Sequence, residues 1–296
     1  MLPASSGGRM PKPPIIVIVG PTASGKSQFA IDIAEHHSAE IICADSRTVY
    51  KGMDIGTAKP TAQDIKKVRH HLLDVVEPNQ QFTAADFKRL ANEAIVKIWE
   101  RGNVPIIVGG TGLYIDALLF DYDFGSKADV GKRVELSAMT LEELWDLCRQ
   151  KNIELPENYK NKRHVIRAIE LGGLIRDKRV LRKNTLVVGL STEKSDLVKR
   201  VTQRVDDMFR LGVLQEAEVL GRKFGWDCQA LTANIYLVCK KVLDGSLDLD
   251  QAKRLCVKND LNLAKRQMTW FKRNNAIHWG GQNKLRDIIA KFLNNL

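Results

Sequence analysis

Short apolar runs alternate with segments of helical spacing through the first third of the chain, separated by turn residues. The run 15–19, built only of Ile and Val, predicts a buried strand, the spacing over 28–37 predicts a helix, and 40–44 predicts a second strand. A further helix is predicted over 84–100, where Phe87, Leu90, Ala91, Ala94, Ile95 and Ile98 recur on one face and Thr83 with Asp86 forms a capping box. A strand over 104–108 follows, and this alternation of strand and helix is the mark of a parallel sheet covered by helices. Between 119 and 184 the pattern changes to charge-rich segments and two helices, 141–151 (Thr140 and Glu143 as capping pair) and 160–175. The strand 185–190 resumes the sheet, a long helix spans about 197–220, and the remainder reads as helical. The expected organisation is an α/β core of 14–118 plus 185–296 interrupted by a small all-helical insertion, 119–184. The start, 1–13, is rich in Pro, Gly and Ser and is expected to be a disordered tail, with Met10 as an alternative start.

Composition narrows the class. With 296 residues and 44% hydrophobic content the chain can bury a good core, and no apolar run approaches the roughly 20 residues that span a bilayer. No signal-peptide segment is apparent. Five cysteines, odd in number, widely spaced and without a CxxC pair, indicate neither a disulfide framework nor a zinc site, so a reducing cytoplasm is expected. The net charge of +11 is uneven: from Lys160 to Lys183 nine Lys or Arg face only Glu170 and Asp177. Lys160, Arg163 with His164, and Arg167 fall on one stripe of the predicted helix, where they could lie along a nucleic-acid backbone or simply be solvated.

The candidate chemistry sits after the strands, where open parallel sheets bind ligands. Gly20-Pro21-Thr22-Ala23-Ser24-Gly25-Lys26-Ser27 matches the phosphate-binding loop GxxxxGK[ST] directly after the strand 15–19. Its glycines let backbone N–H groups curl around an anion, Lys26 supplies positive charge, and Ser27 offers a hydroxyl to Mg²⁺; the loop alone does not say whether the polyphosphate belongs to a nucleotide. Asp45-Ser46-Arg47-Thr48 follows the second strand, and Asp45 could hold Mg²⁺ through water, take a proton from a nucleophile, or cap the turn. Gly109-Gly110-Thr111-Gly112 follows 104–108 and allows close backbone approach to a ligand. His70-His71 lacks metal-ligand spacing on a helical face and reads as structural. Near the end, Leu261, Ala264, Met268 and Phe271 read as the apolar face of an ordinary amphipathic helix.

In sequence order these pieces resemble the tRNA dimethylallyltransferases: GPTASGKS (20–27), ADSRTVYKGMDIGTAKPT (44–61), HHLLDVVEP (70–78), FTAADF (82–87), GGTGLY (109–114), IRAIE (166–170), RVDDM (204–208) and AKRQMTWF (264–271). The resemblance implies a P-loop NTPase-like sheet with a helical insertion, and transfer of a dimethylallyl group from dimethylallyl diphosphate to the exocyclic amine of the adenosine 3′ of a tRNA anticodon. It implies that Gly20 to Ser27, Thr22 and Lys26 above all, hold the diphosphate with Arg204, that Ser27 helps hold Mg²⁺, and that Asp45 is the general base beside the Thr111 hydroxyl. It further implies tRNA contacts at Asp45, Ser46, Arg47, Thr48, Thr111, Arg133, Arg163 and Arg167, with the target base flipped out of its stack into a channel between core and insertion. A monomer with no membrane association is expected. The chain departs from the family pattern at Asn161, His164, Thr232-Ala233 and Asp260-Leu261, and its insertion is shorter than usual. Two other readings share some of these features: an ATP-dependent phosphotransferase acting on a small molecule, and a non-catalytic RNA-binding protein with a vestigial nucleotide site. Neither accounts for GMDIGTAKP and GGTGLY together with an intact Lys26, Ser27 and Asp45.

Overall fold

Six strands form one parallel sheet in the order β3-β2-β4-β1-β5-β6 in the computed structural model, which describes residues 13–125, 129–173 and 180–295. The strands are β1 (Ile15–Val19), β2 (Ala39–Cys43), β3 (His70–His71), β4 (Val104–Gly109), β5 (Thr185–Leu190) and β6 (Ile277–Gly280). Around them run α1 (Lys26–His36), α2 (Ala62–Lys67), α3 (Ala84–Glu100), α4 (Gly112–Leu119), α5 (Val130–Ala138), α6 (Leu141–Gln150) and α7 (Lys162–Glu170). After β5 come α8 (Lys194–Leu211), α9 (Val213–Phe224), α10 (Asn234–Leu243), α11 (Leu249–Phe271) and α12 (Gln282–Leu293).

The central strands are buried on both faces, which is why they read as unbroken Ile/Val runs and not as an alternation. One face, with Ile16, Ile18, Ile41 and Ile106, packs on Phe29 and Ile33 of α1 and on Leu285 and Ile289 of α12. The other face carries α3, whose Phe87, Ala91, Ala94, Ile95 and Ile98 are buried and whose Thr83–Asp86 capping box is formed at both of its hydrogen bonds.

Several elements differ from the periodicity reading. The helix expected over 28–37 begins two residues earlier, at Lys26, so the phosphate loop feeds straight into its first turn. The segment expected as one helix over 197–220 is two, α8 and α9, broken where Gly212 takes φ +99°. The helix expected over 160–175 spans Lys162–Glu170, capped by the Asn161 side chain, so Lys160 lies before it and not on its stripe. Its last expected residues, Leu174 and Ile175, and the basic residues Arg176, Lys178 and Arg179 lie outside the described residues, as does the tail up to residue 12. Four short elements, α2, α4, α5 and β3, and the edge strand β6 were not legible as elements.

The chain divides into two units, residues 1–119 with 182–296, and residues 120–181. The second is helical, with Leu136, Leu144, Cys148, Val165 and Ile169 from α5, α6 and α7 forming its own core. No described helix is long and apolar enough to cross a membrane.

Candidate active site

The phosphate loop leaves β1, whose five residues are fully buried, and enters α1. Gly25 at the cap has φ +88°, a conformation that costs an L side chain about 1–2 kcal/mol, so glycine is needed where the loop turns into the helix. The turn closes by Ser24 N–H donating to the Pro21 carbonyl at 3.2 Å and Phe29 N–H to the Gly25 carbonyl at 3.0 Å. The first-turn N–H groups of a helix have no intrahelical acceptor, which makes the start of α1 suited to an anion. Lys26 donates to the Pro21 carbonyl at 3.3 Å. Withdrawal of its ammonium from water lowers its pKa to about 8, with the Asp45 carboxylate pulling it back up and Arg204 pushing it further down.

Two arginines one turn apart on α8 reach the loop. Arg204 donates to the Thr22 hydroxyl, and Arg200 donates to the Ser24 carbonyl at 3.0 Å. The Ser24 hydroxyl and the Arg204 Nε are buried and find no partner among the described residues. Gln267 of α11 closes the loop from the far side: its Oε1 accepts from Thr22 N–H at 2.8 Å and its Nε2 donates to the Gly110 carbonyl at 3.0 Å. The phosphate loop and the GGTGLY turn are thus tied together by one side chain. Gln267 and Arg200 carry no role in the sequence reading; a polar Gln between apolar helix positions in AKRQMTWF was the available signal.

The carboxylate side is built where β2 and β4 end side by side. Ala44 N–H donates to the Val108 carbonyl at 2.7 Å and Thr111 N–H to the Ala44 carbonyl at 3.3 Å. A Cβ on Gly109 would stand 2.0 Å from the Ala44 carbonyl oxygen, which only glycine permits. The Thr111 hydroxyl accepts from Ser46 N–H at 3.0 Å, which leaves its own proton to donate elsewhere. Asp45 Oδ1 accepts from Arg47 N–H at 2.8 Å, an Asx turn that sets the carboxylate's direction. Arg47 turns its guanidinium to the carbonyls of Gln229 and Ala230, at 2.9 and 3.1 Å, and to the Thr232 hydroxyl at 3.3 Å. Thr232, a departure from the family pattern, is therefore part of the clamp on Arg47.

These groups share one cavity of about 620 Å³. Thr22, Ala23, Gly25, Lys26, Ser27 and Arg204 line it together with Asp45, Ser46, Arg47, Thr48 and Thr111, while Gly20, Pro21 and Ser24 are buried beneath the loop. Val205, Met208, Ile235 and Leu263 give it an apolar wall. His70 lines it as well, with Nδ1 2.7 Å from the Val68 carbonyl and a pKa lowered by burial. His71 bonds Glu40 at 2.6 Å. Asp260, another departure, also lines the cavity; burial raises its carboxyl pKa and Arg204 draws it back.

The arginines expected to meet RNA from the helical unit are mostly engaged. Arg133 forks onto Glu170 at 2.7 and 2.8 Å, and Arg167 reaches the same carboxylate at 2.8 Å and the Phe124 carbonyl. Burial of Glu170 opposes its ionisation, but the hydrogen bonds of Arg133 and Arg167 prevail and hold its pKa below the ordinary range. Arg163 is exposed on α7.

A family model described as IPP transferase matches residues 48–274. The tRNA dimethylallyltransferases of Pelotomaculum thermopropionicum and Bacillus subtilis are each 39% identical to this chain, over 285 and 284 residues, covering 90% of it and 90% of either relative. The crystal structure of the full-length tRNA isopentenylpyrophosphate transferase of Bacillus halodurans superposes with a TM-score of 0.75 at 35% identity, over 96% of this chain and 98% of that one. Its P-loop NTPase-like parallel sheet is the architecture described above. With a family model spanning most of its length and relatives this similar from end to end, the chain belongs to the IPP transferase family, the tRNA dimethylallyltransferases.

Proposed function

We propose that the protein transfers the dimethylallyl group of dimethylallyl diphosphate to the exocyclic amine of the adenosine 3′-adjacent to a tRNA anticodon and releases pyrophosphate. The observation that carries this reading is one cavity lined by the phosphate loop, Asp45 and Thr111. The bond between the allylic carbon and the diphosphate oxygen breaks, the amine nitrogen bonds that carbon, and the amine proton passes to Asp45. Lys26, Arg204 and the loop N–H groups meet the charge that grows on the leaving pyrophosphate. Thr111, its hydroxyl oxygen occupied by Ser46 N–H, donates outward and orients the acceptor base.

The apolar wall suits the five-carbon chain. The two thiols that line the cavity, Cys43 and Cys256, are pushed by burial to pKa values of about 12, which favours direct transfer over a thioether intermediate on the enzyme. The Ser27 hydroxyl fits a Mg²⁺ that would take its other ligands from water and diphosphate, in keeping with the absence of a cluster of three His, Cys, Asp or Glu able to hold an ion among the described residues. That ion would neutralise the leaving group. Arg163 with its basic neighbours supports a contact with the RNA backbone, and the enzyme acts as a monomer in the cytoplasm, where its five free cysteines stay reduced.

The test is incubation of unmodified tRNA with labelled dimethylallyl diphosphate, Mg²⁺ and either wild-type protein or Asp45→Ala. Label on the RNA with wild type and its loss with the variant supports the reading. Unlabelled RNA, with transfer of the γ-phosphate of ATP to a small acceptor, would replace it by the phosphotransferase reading.

A further inference from the structure

The GMDIGTAKP segment supplies a wall of the cavity through Gly56, Thr57, Ala58 and Pro60, yet none of these side chains brings reactive chemistry to it: the Thr57 hydroxyl donates inward to the Met53 carbonyl at 2.5 Å. What holds this wall in place is a carboxylate from a distant helix. Glu216 of α9 accepts three consecutive backbone N–H groups, from Asp54 at 2.8 Å and Ile55 at 2.7 Å on Oε2, and from Gly56 at 2.9 Å on Oε1. Tyr236 of α10, fully buried, donates its hydroxyl to the same Oε1 at 2.7 Å, and its ring packs so closely on Gly56 that an added Cβ would stand 2.7 Å away.

Three successive N–H groups converging on one anion form a backbone nest, and here the anion is part of the protein. Such charge-assisted bonds are roughly twice as strong as neutral ones and fix three peptide planes at once. A second anchor completes the segment: the buried Lys59 donates to the Tyr50 carbonyl at 3.0 Å, Asp54 at 2.6 Å and Asp74 at 2.7 Å. Ala58, between the two anchors, is held at φ +50°, a conformation that a loose loop would relax. None of the hydrogen bonds described for residues 54–60 reaches the phosphate loop.

We infer that Glu216 is a positioning residue for the transfer: through the 54–56 nest it sets the cavity wall against which the acceptor base is aligned, while leaving the diphosphate site untouched. The inference rests on the reading of the cavity as a prenyl-transfer site. Its physical basis is that misplacing a reacting group by about 1 Å costs on the order of 100-fold in rate without any loss of chemistry at the donor. Glu216→Gln replaces one acceptor oxygen by an NH₂ that must face a backbone N–H, so the nest opens. Tyr236→Phe removes one of four donors and leaves the three backbone bonds.

Three measurements on the full chain decide it. Amide hydrogen exchange of residues 54–56 should accelerate strongly in Glu216→Gln and stay near wild type in Tyr236→Phe; unchanged protection in Glu216→Gln overturns the nest. Pyrophosphate affinity in the presence of Mg²⁺ should remain within twofold of wild type in Glu216→Gln, while kcat/KM for tRNA falls at least tenfold. A parallel loss of both would mean a general structural role, and an unchanged kcat/KM would mean no positioning role at all. The exchange and pyrophosphate measurements need no prenyl transfer, so a wild-type protein that fails to modify tRNA would refute the proposed reaction and leave the nest to be judged separately.

Discussion

At the phosphate loop, Lys26 is held by one backbone carbonyl and Arg204 by the Thr22 hydroxyl, with the Arg204 Nε left unpartnered among the described residues. In the helical unit, Arg133 and Arg167 both close on the buried carboxylate of Glu170. The first pair is undercompensated positive charge kept from water, which an incoming diphosphate would satisfy. The second is an Arg–Glu–Arg cluster, still net positive, in which one carboxylate engages both guanidiniums, so Arg167 is not one of the freely presented cations of residues 160–183. Counting basic residues along a sequence cannot separate these cases, because the carboxylate that neutralises Arg133 stands 37 positions away.

The largest effect expected is at the undercompensated end. Asp45→Ala removes the group assigned to take the amine proton and should lower kcat about 10²–10⁴-fold, measured by label incorporation under saturating substrates. Pyrophosphate binding should persist, because the loop N–H groups and Lys26 remain. Equal rates in both proteins would remove Asp45 from the mechanism and with it the distinction between the two regions.

At the paired end the cost should appear in stability. Glu170→Gln strips the charged partner from two partly exposed arginines, and losing such charge-assisted hydrogen bonds costs about 1–3 kcal/mol. Hydrogen exchange localised to α5 and α7, with urea unfolding of the full chain, would read it. A neutral outcome would mean that Arg133 and Arg167 are as free as Lys26, and the contrast would fail.

The Lys26 pKa gives the comparison a pH signature. Its folded value, about 8, lies below the ordinary lysine value of 10.5, so the ligand-free folded protein releases this proton first. The unfolded chain then binds more protons between those two values, and this group makes the ligand-free protein gain stability as pH rises through that window. Donor binding runs the other way, since only charged Lys26 attracts the diphosphate: the KM for dimethylallyl diphosphate should rise on the order of tenfold between pH 8 and 9.5. Lys26→Arg should flatten that rise.

What the sequence made legible follows the same physics. Strands 15–19 and 185–190 and the helix 84–100 were readable because long apolar runs and a capping box leave local marks. α4 was not, because Tyr114 through Leu119 are buried all round and carry no period; the two-residue β3 is too short to show one. The phosphate loop announced itself by type and spacing, while Asp45 stood out only by its place after the second strand, with its role left open until the family resemblance. Gln267, Arg200 and Glu216 did not, since their roles depend on partners 157, 176 and 160 to 162 positions away. The family motifs contain Gln267 but neither Arg200 nor Glu216, and for Gln267 they do not say which atoms it holds.

The smallest effect, and the sharpest within one unit, sets Arg163 against Arg133. Arg163 is exposed, and its guanidinium has no carboxylate partner among the described residues, whereas Arg133 is committed to Glu170. If the helical unit meets the RNA backbone through free cations, Arg163→Ala should weaken tRNA binding modestly and reduce the slope of log affinity against log salt by about one. Arg133→Ala should instead loosen the packing of α5 on α7 and leave that slope unchanged. Fluorescence titration of a labelled anticodon stem-loop at several salt concentrations distinguishes them. Equal changes in slope for both variants would mean that the Glu170 cluster opens to release its arginines when RNA arrives, and the pairing would then be a stored contact and not a spent one.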